Sequence, residues 1–248
     1  MASQSVHNRQ RSTRLWITGI LAGVVIVVIA IIGVIAQNQA APGAVPSPTA
    51  SAPASAGQPS DAPQLSQLAR RDPADAAAKG DVDAPVVIIE YADFRCAYCA
   101  VFANEVLPAL MTEYVDTGLV RIEWRDAPVL GETSADAAIA AHAAGAQGLF
   151  WEYNAVLYAT SPTGKTEWTR DALLGIAATV PGLDVAAFTV ALDDPAHAQR
   201  VVREAQESTA IGVSSTPTFI VGNAPVRGAQ PLSAFRDVIE QELAAAGH

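Results

Sequence analysis

Pro85-Val86-Val87-Ile88-Ile89-Glu90-Tyr91-Ala92-Asp93-Phe94-Arg95-Cys96-Ala97-Tyr98-Cys99 is the stretch on which the reading of this chain turns. Its first half is a continuous, β-branched apolar run, the pattern of a strand buried on both faces. The run ends at Ala92-Asp93-Phe94-Arg95, and Cys96 opens the next element. There Val101, Phe102, Val106, Leu107 and Leu110 fall at helical spacing over 97–114, with a break invited at Pro108. Residues 119–124 alternate apolar and polar side chains and predict a second strand. The local unit is strand, helix, strand.

Cys96 and Cys99 are the chain's 2 cysteines. A bond between them closes a very short loop and restrains little of the unfolded chain, so a structural staple is a poor account of the pair. Redox chemistry is a better one. Thiolates, not thiols, attack disulfides, and Cys96 sits where strand hands over to helix, beside unpaired N–H groups and the positive end of a dipole. Arg95 adds a positive neighbour. Cys99, three residues on, is placed to resolve a mixed disulfide. The expectation is an exposed nucleophile at Cys96 and a buried partner at Cys99. A zinc site would need four ligands, and His7, His142, His197 and His248 are scattered without paired spacing. Neither metal nor organic cofactor is expected. A binding module that no longer does redox work stays open as an alternative.

Residues 15–36 carry no charge and are long enough, at ~1.5 Å per residue, to cross a ~30 Å hydrocarbon core. Arg9, Arg11 and Arg14 precede them and no positive charge follows closely, which predicts a cytoplasmic tail (1–14), a membrane anchor (15–36) and everything beyond outside. A cleaved signal peptide ending near Ala36 is the competing reading; either one exports the remainder. Residues 37–66 are rich in Ala, Pro and Ser and predict an unstructured linker. The folded domain is expected over 67–248, with a helical insertion at about 133–212, strands at 218–221 and 224–227, and a closing helix at 232–245. The net charge of -10 disfavours nucleic-acid partners, which require clustered Lys and Arg. Tyr98 is the aromatic nearest the cysteines expected to face solvent and touch substrate, whereas Phe150 and Trp151 are expected in the core.

The segment Glu90–Cys99, with Thr216-Pro217-Thr218-Phe219 far downstream, resembles the DsbA-like branch of the thioredoxin superfamily, in particular its membrane-anchored actinobacterial forms. That resemblance implies an α/β thioredoxin-like fold with an inserted helical domain and a protein thiol–disulfide oxidoreductase activity. It implies a cis Pro217 against the cysteine pair and a Thr216 backbone that pairs with extended substrate. It further implies that Glu90 is a buried acid assisting proton transfer at the buried cysteine. The substrates implied are unfolded exported proteins, and the recycling partner a membrane enzyme of the DsbB or vitamin K epoxide reductase type. The domain itself is expected to be monomeric. A reductase or isomerase on the same fold, and a non-redox tethered peptide-binding module, are the alternatives. No histidine stands between the cysteines, and the side chains of Ala97 and Tyr98 offer the sulfur no donor.

Overall fold

The computed structural model describes residues 64–248. The expected cytoplasmic tail, the anchor and the linker as far as residue 63 lie outside the described residues. Among the described residues, no helix is long and apolar enough to cross a membrane.

A 3-10 turn (Leu65–Leu68) and a two-residue strand β1 (Ala78–Lys79) precede strand β2 (Val86–Ala92). Helix α1 starts α-helical (Ala97–Val101), then runs through a π turn (Phe102–Val106), an α turn (Leu107–Leu110) and a second π turn (Met111–Val115) into strand β3 (Val120–Asp126). Helices α2 (Glu132–Gly145), α3 (Phe150–Thr160), α4 (Arg170–Ala177), α5 (Val185–Ala191) and α6 (Pro195–Ala210) form the expected insertion. Strands β4 (Thr218–Val221) and β5 (Ala224–Arg227) and helix α7 (Leu232–Ala245) follow. The sheet order is β1-β3-β2-β4-β5. Only β2 and β3 are parallel, joined through α1 as a strand–helix–strand crossover.

Strand β2 is buried along its whole length, as its continuous apolar run predicts. Its side chains alternate between two packed layers. Val86 and Ile88 meet Phe102, Val106, Phe219 and Phe235 from α1, β4 and α7, while Val87, Ile89 and Tyr91 meet Ala127 and Ile220 on the opposite side. Each such side chain contributes roughly 1.5–3 kcal/mol on burial. Two-residue periodicity puts Glu90 in phase with Val86 and Ile88, on the α1 side.

Pro108 does not break α1. A proline inside an α-helix removes an N–H and collides with the carbonyl four residues back. Here the preceding π turn widens the helix, and the Leu107 N–H reaches back to the Phe102 carbonyl, so Pro108 falls in the first turn of the following α segment.

Strand β3 departs from the alternating pattern that identified it, because its polar face is buried too. Glu123 pairs with Arg125 at 2.7 Å and with Arg121 at 3.1 Å. Its carboxylate also accepts the Arg70 and Arg71 backbone N–H groups at 2.9 and 2.8 Å. The segment before β1 and helix α6 cover this face: the Asp72 carbonyl accepts from Arg121, while Glu207 meets Arg125 and the Tyr91 hydroxyl. Buried charge is tolerated because each group has an opposite partner. Leu65 and Leu68 pack on the Tyr91 layer, and Asn223 accepts from the Ser66 N–H.

Candidate active site

The strand end and the helix start together make the site. Cys96 is the N-cap of α1, with extended backbone (φ -89, ψ 117), and its sulfur accepts the Cys99 N–H at 3.4 Å. The N–H groups left unpaired in a first helical turn thus converge on this sulfur. On the other side lies the loop before β4, where the Thr216–Pro217 bond is cis. The Cys96 thiol donates to the Thr216 carbonyl at 3.2 Å. Five expected residues, Glu90, Cys96, Cys99, Thr216 and Pro217, are therefore gathered at one place. Tyr98 projects from the helix start and is 68% exposed.

Both cysteines are free thiols in this structure. Cys96 is 6% exposed and Cys99 0%. Cys96 is the more accessible of the two, but "exposed" is too strong for it, because the Thr216 carbonyl and the first turn of α1 both contact its sulfur. Hydrogen bonding from the Cys99 thiol, then from the Thr216 side chain and the Cys99 and Tyr98 N–H groups, outweighs burial and lowers the Cys96 thiol to about 6. Burial, the bond to Cys96 and the Cys96 charge push Cys99 far above its ordinary value, with the Asp93 N–H pulling weakly the other way. One proton shared between the sulfurs thus sits on Cys99 and leaves the charge on Cys96.

Arg95 does not supply that charge stabilisation. Its guanidinium is turned away, donating to the Leu130 carbonyl at 2.7 Å and pairing with Glu167 at 2.5 Å. The backbone fills the role that the side chains between the cysteines leave vacant.

Glu90 is buried, and one of its oxygens has no hydrogen-bond partner. Burial, with the Cys96 charge as a second cause, raises its carboxyl to about 8. A carboxyl so placed is protonated at neutral pH and holds a proton available beside the cysteine pair.

Asp93, Val129 and Leu130 escaped the sequence reading. Asp93 is buried; its carboxylate accepts the Arg95 N–H at 2.7 Å and the Leu130 N–H at 2.9 Å, while its carbonyl accepts the Cys96 N–H at 3.0 Å. The Asp93–Arg95 contact is an Asx turn, and an Asp directly after a strand is the signal that identifies it. Val129 and Leu130, 55% and 45% exposed, have no such signal, because only the folded chain brings their loop to the turn before Cys96. Phe150 is fully buried and Trp151 half-buried, consistent with packing roles.

The histidines are less scattered than their spacing implied. The rings of His142 and His197 lie 6.5 Å apart, and His142 joins Asp126 and Glu204 in a group with metal-like separations. Their atoms are already engaged. His142 Nε2 meets Asp126 Oδ2 at 2.6 Å, Trp124 donates to Asp126 Oδ1, and Glu204 binds Arg70, Arg200 and the Asp126 N–H. A cation would have to displace two arginines, so the donor set fits an internal ion-pair network rather than a metal.

The family profile described as Thioredoxin matches residues 74–241. The chain is 30% identical over 170 residues to the probable disulfide bond formation protein D of Bacillus cereus, covering 66% of this chain and 77% of that protein. It is 35% identical over 162 residues to the Na(+)/H(+) antiporter NhaA of Herminiimonas arsenicoxydans, a match that spans 65% of this chain but only 25% of the antiporter. Among solved structures, alpha-DsbA1 of Wolbachia pipientis superimposes with a TM-score of 0.64 at 25% identity, covering 73% of this chain and 96% of that one.

Proposed function

The chain belongs to the DsbA-like branch of the thioredoxin family of thiol–disulfide oxidoreductases, and from that premise we propose that it oxidises the thiols of exported proteins outside the cytoplasm, held at the membrane by residues 15–36. The observation that carries the oxidising direction is the unequal pair of sulfurs. Cys96 is stabilised as a thiolate at a helix N-terminus, and Cys99 is shut away behind it. Stabilising the thiolate stabilises the reduced form, and a pair whose reduced form is stabilised is a strong oxidant.

In the proposed reaction a substrate thiolate attacks Cys96 Sγ of the Cys96–Cys99 disulfide. A substrate–Cys96 bond forms, the Cys96–Cys99 bond breaks, and Cys99 leaves as a thiolate that takes a proton from Glu90. A second substrate thiolate then attacks the substrate sulfur of the mixed disulfide. Cys96 departs as the stabilised thiolate, and two electrons have passed from substrate to the cysteine pair. A membrane oxidant of the DsbB or vitamin K epoxide reductase type removes them.

Tyr98 on the first turn of α1, and Val129 and Leu130 on the loop bonded to Asp93 and Arg95, are exposed apolar side chains suited to the apolar side chains of unfolded chains. Thr216, beside the cis bond, offers its backbone to an extended substrate. Replacing Cys99 by Ser removes the resolving thiol while leaving Cys96. When the variant is mixed with a reduced, thiol-rich protein and a mild oxidant, mass spectrometry should find a covalent adduct at Cys96. A tethered peptide-binding module would form none. Side-by-side assays of insulin reduction and of oxidative refolding separate oxidase from reductase: refolding yield should rise well before insulin precipitates.

A further inference from the structure

Three successive backbone carbonyls precede Cys96, and the helical insertion contacts all of them. The Tyr158 hydroxyl of α3 donates to the Asp93 carbonyl at 3.1 Å. The Trp168 indole N–H, itself fully buried, donates to the Phe94 carbonyl at 3.2 Å. Gly164 lies against the third. A Cβ added there would stand 2.2 Å from the Arg95 carbonyl oxygen and 2.6 Å from the Ala97 nitrogen, the two peptides flanking Cys96. Residues 161–168 thus form a strap laid backbone to backbone on the turn that carries the nucleophile. Buried Ser161 turns the strap, its carbonyl accepting the Gly164 N–H at 3.1 Å. Glu167 fastens the far end to Arg95 and to the Thr133 hydroxyl.

We propose that this strap is a positioning element for disulfide exchange, with Gly164 and Trp168 as positioning residues that hold the turn so that the N–H groups of Tyr98 and Cys99 stay aimed at the Cys96 sulfur. The proposal rests on Cys96 being the attacking sulfur. Residue 164 has room only for a hydrogen, because the strap's contact with the turn is made through main-chain atoms that cannot rotate aside. A side chain there forces the 95–97 backbone away, and N–H···S bonds weaken steeply as length and angle degrade. The titratable and charged groups around the sulfur are Cys99 of α1, Glu90 of β2, Tyr158 of α3, Asp93 in the turn, and Arg95, whose charge Glu167 takes up. Of these the strap touches Arg95, through its carbonyl at Gly164 and its guanidinium at Glu167; Gly164→Ala adds and removes no charge, so a change at residue 164 acts through geometry.

The test is the pH dependence of Cys96 alkylation by iodoacetamide in the reduced protein, read with the redox equilibrium against glutathione. Gly164→Ala should raise the midpoint by about one pH unit, a roughly tenfold loss of thiolate below it, with a matching shift toward a weaker oxidant. Gly148→Ala is the control. That residue shares the left-handed backbone (φ +77 against +67) but has nothing within 4 Å of an added Cβ. It should lower the melting temperature and leave the midpoint in place. Trp168→Phe keeps most of the packing and removes the bond to Phe94; it should raise the midpoint by a smaller amount, about threefold in thiolate. It carries the test alone if Gly164→Ala fails to fold. Wild-type midpoints in both strap variants, or an equal shift in Gly148→Ala, would overturn the positioning role while leaving the function intact. An unactivated Cys96 in the wild-type protein would overturn both.

Discussion

Replacing Glu90 by Gln should remove a pH effect on stability, so that the substitution destabilises the protein at low pH and stabilises it at high pH. The carboxyl titrates at about 8 in the folded protein against 4.5 without burial. Its folded value is raised, so the native state binds the extra proton and stability falls as pH climbs from 4.5 towards 8. At ~1.36 kcal/mol per unit, the whole window is worth about 5 kcal/mol, of which about 3.5 kcal/mol falls between pH 5 and pH 8. Gln cannot ionise, so the variant escapes that loss. It keeps an amide where the wild-type oxygen has no partner, at a pH-independent cost of about 1–3 kcal/mol. The two stability curves should therefore cross: the variant is weaker at pH 5 and stronger at pH 8. Urea unfolding of both reduced proteins at those two pH values measures the difference, and subtracting wild type from variant cancels the cysteine titrations to first order. Parallel curves would show that the carboxyl is solvated or paired in the folded state, and the proposed proton donor would be lost with it.

The thiolate of Cys96 should appear, by absorbance near 240 nm, with a midpoint near pH 6; a midpoint near 9 would contradict the hydrogen-bond account. Thr216→Ala keeps the carbonyl that the Cys96 thiol meets but removes a hydroxyl that helps to lower that thiol, so the same midpoint should rise and attack on a small disulfide at pH 6 should slow, with little change in melting temperature. Glu123→Gln leaves Arg121 and Arg125 without their shared buried anion and should cost roughly 3–5 kcal/mol in urea unfolding. A loss below about 1 kcal/mol would mean that the arginines find water instead.

The site was legible where chemistry follows from adjacency. Cys96, Cys99 and Glu90 lie within ten residues, and strand-then-helix patterning places them without knowledge of the rest of the chain. Thr216 and Pro217 were reached through family resemblance, because no local pattern ties residues 120 positions away to a sulfur. Arg95 shows the opposite failure. Sequence neighbourhood suggested a charge beside the thiolate, but a guanidinium has a long reach, and Glu167, 72 residues on, outcompeted the sulfur for it. The burial of the polar face of β3 was not legible for a related reason. Alternation reports which residues share a face, not whether that face meets water, and a face of opposite charges can be closed over by a neighbouring segment. The π turns around Pro108 were invisible because helical periodicity does not separate a broken helix from a widened one.

Helix α2 has one more consequence. Ala137, Ala138, Ala140, Ala141, Ala143 and Ala144 are all buried, and α2 packs against both α3 and α6. A helix built this way is thin on several sides at once, and it works as a shim between its neighbours. Its thickness is fixed at the width of a methyl group, and interiors packed this tightly absorb an added methylene by shifting backbone. Because α3 carries the Tyr158 hydroxyl, widening the shim would be felt at the sulfur without any change to a residue that touches it.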